Sequence, residues 1–352
     1  MTAGHDPDLA QAAIEYCYEQ DWSDGLPLVP ASRPLVDRFL ATVDREPDEV
    51  VGRLPQFERA VDVEVAAINA AMAGCRPEHF PVVLAAWEAL MAERAATGGG
   101  WQSTSGPAPL IVVNGPVREE LRFNHAGGVF GPGFRANATV ARAIGLIVRN
   151  GFGVRPHVLE QATQGLPGRW QICLAENERE SPWEPLAEEA GAAAGSSAVS
   201  ATLLRTSEFV DNRHTSSAEQ LLADFADTIS RTGAWIFRHA GAGIVFCPEH
   251  AQLLAHAGYG RAEVRSWLAE RCGRRVGDLA AAGKDGLGDN GVRHADGTRP
   301  EGFEPLLASA ERTNLLLAVA GARNAGISMV VRLFGDWSGT AVEIESIKGG
   351  RS

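Results

Sequence analysis

The sequence predicts an α/β protein, with mainly parallel sheets flanked by helices and two α/β lobes behind a helical N-terminal segment. Three observations carry this. Short continuous apolar runs at 110–114, 243–247 and 315–320 have the length and composition of strands buried on both faces. Segments of helical character alternate with them. The 39 glycines, many clustered between the apolar runs, supply the tight turns such folds need. A chain of 352 residues, 45% hydrophobic and 22% charged, is enough for two domains or one large one.

The elements follow in order. Asp6-Pro7 opens a first helix with Leu9, Ala13, Tyr16 and Cys17 on one face. Residues 21–30 read as irregular and 34–42 as a short helix, followed by a long loop through Pro47 and Pro55. Residues 62–73 are Ala-rich and helical, with Gly74 placed for a left-handed cap. Pro77 then opens a second helix running to about residue 96. A strand over 110–114 leads through a glycine-rich loop, Asn124 to Asn137, into a helix over 138–149. A further strand over 170–175 is followed at once by Glu176-Asn177-Glu178.

The Ala/Gly/Ser stretch 187–198 divides an N-terminal lobe, 1–186, from a C-terminal one, 199–352, as a linker or surface excursion. In the second lobe the pattern gives a strand over 198–204 and a helix over 217–232 capped by Ser216 or Ser217. A strand over 243–247 runs into a helix at Pro248-Glu249-His250, and another helix covers 259–272. A polar, glycine-rich loop or lid spans 283–298, and strands at 315–320, 329–334 and 341–347 close the fold.

The net charge of -12 argues against nucleic acid and anionic membranes as partners. No apolar run reaches the length of a membrane span. The first 25 residues carry Asp6, Asp8, Glu15 and Glu19 without the basic start and apolar core of a signal peptide, so a cytoplasmic setting is expected. Five widely spaced cysteines without a C-x-x-C pair fit a reducing compartment. Metal signatures such as H-E-x-x-H are absent, so the cofactor is unknown from sequence, and a metal would need a non-contiguous site built from Cys75, His79, His125 and the Glu176–Glu178 carboxylates.

The chemistry centres on Cys75, in Ala-Met-Ala-Gly-Cys-Arg-Pro-Glu at 71–78. At a joint between two helices, near the positive end of the second and beside Arg76, a thiol is expected to ionise more readily. His79, four residues on, is a weaker nucleophile partner. The glycine loop can hold an anion through its backbone amides, with Gly131, Gly133, Arg135, Asn124 and Asn137 as substrate-binding groups and His125 as a base. Its spacing is neither a Rossmann fingerprint nor a P-loop. Glu176 and Glu178, beyond an apolar strand, are the acid/base or positioning pair, with Asn114 and Asn177 as hydrogen-bond groups. His250 reads as a capping or packing residue.

The segments at 71–78, 131–139 (Gly-Pro-Gly-Phe-Arg-Ala-Asn-Ala-Thr) and 175–186 (Ala-Glu-Asn-Glu-Arg-Glu-Ser-Pro-Trp-Glu-Pro-Leu), with Trp22-Ser-Asp-Gly-Leu-Pro-Leu-Val-Pro, are long and specific. Together they resemble a poorly characterised family of bacterial proteins, associated with small partners that carry a selenocysteine-or-cysteine-Gly-Ser-Cys motif. The resemblance implies thiol or selenol redox chemistry with a second polypeptide. Where that family carries an aromatic after the motif Glu, this chain has His79.

The functional expectation is a cysteine-dependent enzyme of oxidoreductase or lyase type acting on a small anionic substrate, with a thiol or selenol partner protein and an oligomeric state. Two alternatives stand beside it. One is a non-catalytic subunit that orients a redox partner; the other is a hydrolase or lyase driven by the carboxylates.

Overall fold

A computed structural model describes residues 7–131, 133–232, 241–284, 302–307 and 314–345. The N-terminal part is helical, as its Ala-rich, strand-poor sequence requires. It holds α1 (Pro7–Glu19), α2 (Arg33–Leu40), α3 (Val63–Met72) and α4 (Phe80–Ala92). The stretch through Pro55 is an antiparallel hairpin of β1 (Val50–Leu54) and β2 (Arg59–Asp62) where the proline pattern predicts only a loop. Glu58 in left-handed backbone makes its turn.

The rest of the chain builds one sheet. Its elements in chain order are β3 (Ala108–Asn114), α5 (Val117–Glu120), α6 (Arg135–Leu146), β4 (Cys173–Ala175), α7 (Leu186–Glu189), β5 (Ala198–Asp211) and α8 (Ala218–Ser230). There follow β6 (Ala242–Phe246), α9 (Pro248–His256), α10 (Arg261–Arg271), β7 (Gly273–Arg275) and α11 (Val276–Ala281). The last are β8 (Phe303–Pro305), β9 (Leu316–Val319), β10 (Ile327–Leu333) and β11 (Val342–Glu343). Ser217 caps α8, accepting from the Gln220 N–H.

The strand order is β4-β3-β5-β10-β6-β9, with β11 also on β5. Mainly parallel pairing is therefore corrected to a mixed sheet: β3–β4 and β6–β9 are parallel, while β3–β5, β5–β10, β10–β6 and β5–β11 are antiparallel. The parallel pairs are the ones joined through long helical connections, and antiparallel pairs sit at the centre.

The order reads as two copies of one unit, β4-β3-β5 and β9-β6-β10. In each, the first strand takes the second beside it in parallel and the third on its other side antiparallel. The units share a sheet because β5 is 14 residues long. Its first half pairs with β3 and its second with β10. Residues 187–198 hold the end of α7 and the turn into that shared strand. Most of the 283–298 loop lies outside the described residues, as do the last residues of the expected closing strand over 341–347.

Alternation along the strands sorts the core into three. Ile111, Val113, Cys173 and Ala175 face the N-terminal helices. Ile244, Phe246, Leu317 and Val319 face α8, α9 and α10. Leu110, Val112, Leu174, Val245 and Leu316 fill the inside of the curl. The outer strands meet at their ends, where the Asn177 N–H donates to Val319 O at 2.7 Å. No helix among the described residues is long and apolar enough to cross a membrane.

Candidate active site around Cys75

The joint forms as the sequence predicts. Gly74 has φ +89°, its N–H donates to Ala71 O, and the Cys75 N–H donates to Ala70 O. These two bonds close a Schellman cap on α3. Pro77 opens a single 3-10 turn, Pro77–His79, which runs into α4. The cap turns Cys75 inward, and it is 6% exposed.

That burial reverses the expected ionisation. Removal from water pushes the Cys75 thiol up to about 12, and the Thr139 hydroxyl and the Arg135 and Arg142 charges only partly oppose it. Cys75 is a neutral thiol near pH 7. His79 is no base for it. Its Nδ1 accepts the Arg76 N–H at 3.3 Å, and its ring packs 6.3 Å from that of Phe123. Burial first, then the neighbouring Arg135 and Arg76, bring its pKa down to about 4.

A cleft of about 340 Å³ opens beside Cys75, bounded by Val29, Leu35, Arg38, Arg76, Glu78 and Arg135, with Ala71 and Pro77 behind. Arg135, from the first turn of α6, donates through Nε to Gly74 O at 2.9 Å and through Nη2 to Cys75 O at 3.5 Å. The glycine loop therefore meets Cys75 through this side chain. Arg38 and Arg76 form no ion pair among the described residues. Three guanidinium groups face one carboxylate, which favours anions. Sequence reading missed Arg38; its signal was the i, i+3 spacing from Leu35 that puts both on one face of α2.

The remaining predicted residues fall into other groups. Glu176 is fully buried and receives only donors. Asn114 Nδ2 and the Leu186 N–H reach Oε2 at 2.6 Å each, Arg261 Nη2 reaches Oε1 at 2.6 Å, and the Val319 N–H reaches it at 3.2 Å. Burial pushes this carboxyl's pKa up, but among the described residues its partners are four donors and no acceptor for a carboxyl proton, and these donors hold it as the anion. Glu178 accepts from Asn114 Nδ2, the Gly115 N–H and Arg118 Nη2. Asn177 joins the same seam through Val319 O and Gly321 O. These bonds tie the sheet ends together and include none to Cys75.

Asn124 and Asn137 bind each other. The Asn124 N–H donates to Asn137 Oδ1 at 2.8 Å, and Asn137 Nδ2 donates to Asn124 O and to Cys173 O. They staple the glycine loop to β4. His125 accepts the Gly321 N–H at its carbonyl, while its buried Nδ1 has no hydrogen-bond partner among the described residues. Gly131 lines a different cavity, and Gly133, at φ +128°, turns the chain toward α6. Of the predicted site, Cys75, Arg76 and Arg135 come together. Among the described residues no cluster of His, Cys, Asp and Glu side chains is placed to hold a metal ion.

Comparison of the chain with family models, curated proteins and solved structures found no match to any of them.

Proposed function

We propose that the chain is a cysteine-dependent enzyme that binds a small anionic substrate in the cleft beside Cys75. The observation that carries this reading is the thiol at the wall of a cleft with Arg38, Arg76 and Arg135. Because the resting thiol holds its proton, the step that fits is a substitution. Sγ bonds to an electrophilic atom of the substrate as the S–H proton passes to the group that atom releases. Arg38 and Arg76 hold the substrate's charge, and Arg135 fixes the Cys75 backbone.

Paired alkylating probes test this. Iodoacetate carries a carboxylate and iodoacetamide does not. The iodoacetate-to-iodoacetamide rate ratio at Cys75 should exceed that of the unfolded chain by about tenfold. Replacing Arg38 and Arg76 together by Gln should bring it back. A ratio equal to that of the unfolded chain sinks the anion reading.

A further inference from the structure

The three arginines of the Cys75 cleft come from three places in the chain: Arg38 from α2, Arg76 from the helix joint and Arg135 from the first turn of α6. The chain has a net charge of -12, and other arginines of the same two helices pair with its carboxylates. Arg33 of α2 meets Asp37 and Glu64, and Arg142 of α6 meets Asp24. The arginines of the cleft do not follow this pattern. Arg135 gives its hydrogen bonds to the carbonyls of Gly74 and Cys75, which hold it in place without cancelling its charge. Arg38 and Arg76 have no carboxylate partner among the described residues.

Among the described residues Glu78 is the one carboxylate that borders the cleft, so three positive charges and one negative leave a surplus of two. The start of α6 adds to it. Its first turn holds no acidic residue and no side chain caps it, which leaves the positive end of the helix dipole beside Arg135. A carboxylate ligand would cancel only half of the surplus. A phosphoryl group carries close to two charges near pH 7 and presents three oxygens, so it matches the surplus and offers an oxygen to each guanidinium. The cleft, about 340 Å³, has roughly ten times a water molecule's share of liquid volume, more than a phosphate ion fills. The space left over is bounded by the apolar side chains of Val29, Leu35, Ala71 and Pro77.

We propose that the ligand of this cleft is a small phosphate monoester. Arg38, Arg76 and Arg135 hold its phosphoryl group, and its organic part lies against Val29, Leu35 and Pro77. This rests on the anion-binding reading of the cleft and narrows the anion to a doubly charged one.

The test is isothermal titration calorimetry of the full chain with phenyl phosphate and with phenyl sulfate. The two share an aromatic body and a tetrahedral head, but at pH 8 the phosphate carries two charges and the sulfate one. Phenyl phosphate should bind about tenfold more tightly at pH 8. The ratio should approach one at pH 5, below the second phosphate ionisation at about pH 6. Both ligands meet the same protein, so titration of its own groups cancels from the ratio. Arg38→Gln and Arg76→Gln should each weaken phenyl phosphate about tenfold and lower the ratio at pH 8, and Glu78→Gln should tighten phenyl phosphate. Equal affinities at pH 8, binding of neither ligand, or a ratio unmoved in both arginine variants overturns the proposal. The wild-type ratio is independent of how any variant folds. A ratio of one while iodoacetate is still favoured at Cys75 removes the dianion and leaves the anion-binding reading standing; loss of both removes the two together.

Discussion

Arg261 reaches from α10 to Glu176 just beyond β4, with Nη2 2.6 Å from Oε1 and the two side chains 4% and 0% exposed. The pair joins the outer strand of one unit of the sheet to a helix of the other. The Val319 N–H of β9 meets the same carboxylate oxygen. Curling the sheet brings β4 and β9 together at this point, and a buried anion surrounded by donors from both units holds them there.

Removing one partner would leave the other charged and unpaired in the interior, which costs roughly 3–5 kcal/mol. Glu176→Gln keeps the volume but gives up the charge and turns one oxygen into a donor facing other donors. Both Glu176→Gln and Arg261→Met are expected to lower the midpoint of chemical denaturation, and the double variant to lose less than the two losses added. Additive losses would show that the two side chains are not coupled. A Glu176→Gln protein of unchanged stability would return Glu176 to a chemical role.

The helix joint at Cys75 was legible because its determinants are local. A glycine after an apolar helix and a proline three residues later specify the cap and the next turn without reference to the rest of the chain. The direction of the Cys75 ionisation was not, because burial is set by α2 and α6, distant in sequence. Parallel pairing was read from apolar runs. Full burial makes those runs apolar whatever the strand direction, so β5 and β10, which reverse it, left no mark in composition. The carboxylates misled for a related reason. Glu176 and Glu178 do follow a strand, but their partners Arg118 and Arg261 lie 58 to 85 residues away.

The Cys75 thiol, pushed from its ordinary 9.0 to about 12 by burial, makes a prediction with a definite sign. Between these values the unfolded chain has lost the proton and the folded chain keeps it. The stability tied to this group is present below about pH 9 and is lost as pH rises toward 12. Wild-type protein should therefore lose thermal stability on the alkaline side more steeply than Cys75→Ala. Its iodoacetamide rate should still be climbing at pH 10. A rate that levels off below pH 9 would mean the thiol is not withdrawn from water.

His79 gives the opposite window. Burial and the two nearby arginines bring its folded pKa to about 4 from 6.5, so below pH 6.5 the unfolded state takes a proton that the folded state refuses. Stability falls as pH drops from 6.5 to 4. His79→Phe keeps a ring against Phe123 and removes the titration. Its melting temperature should fall less between pH 7 and pH 5 than that of wild-type protein. Parallel curves would show that His79 is not held neutral.

Gly115 sits between Asn114 and the start of α5, and two separate demands fall on it. Its φ is +84°, and a Cβ there would lie 2.2 Å from Ser196 O and 2.6 Å from Ser197 Cα. Its N–H donates to Glu178 Oε1 at 2.8 Å, so any shift of this backbone also disturbs the seam. Gly153 has φ +70° with nothing among the described residues within 4 Å of the same position. Gly153→Ala therefore meets the conformational penalty alone, about 1 kcal/mol or a little more. Gly115→Ala adds a collision with backbone that cannot rotate away, a further 1–3 kcal/mol or so. Denaturation midpoints of the two variants, set against wild-type protein, separate these effects. Equal losses would mean that the turn before β5 does not pack against the end of β3.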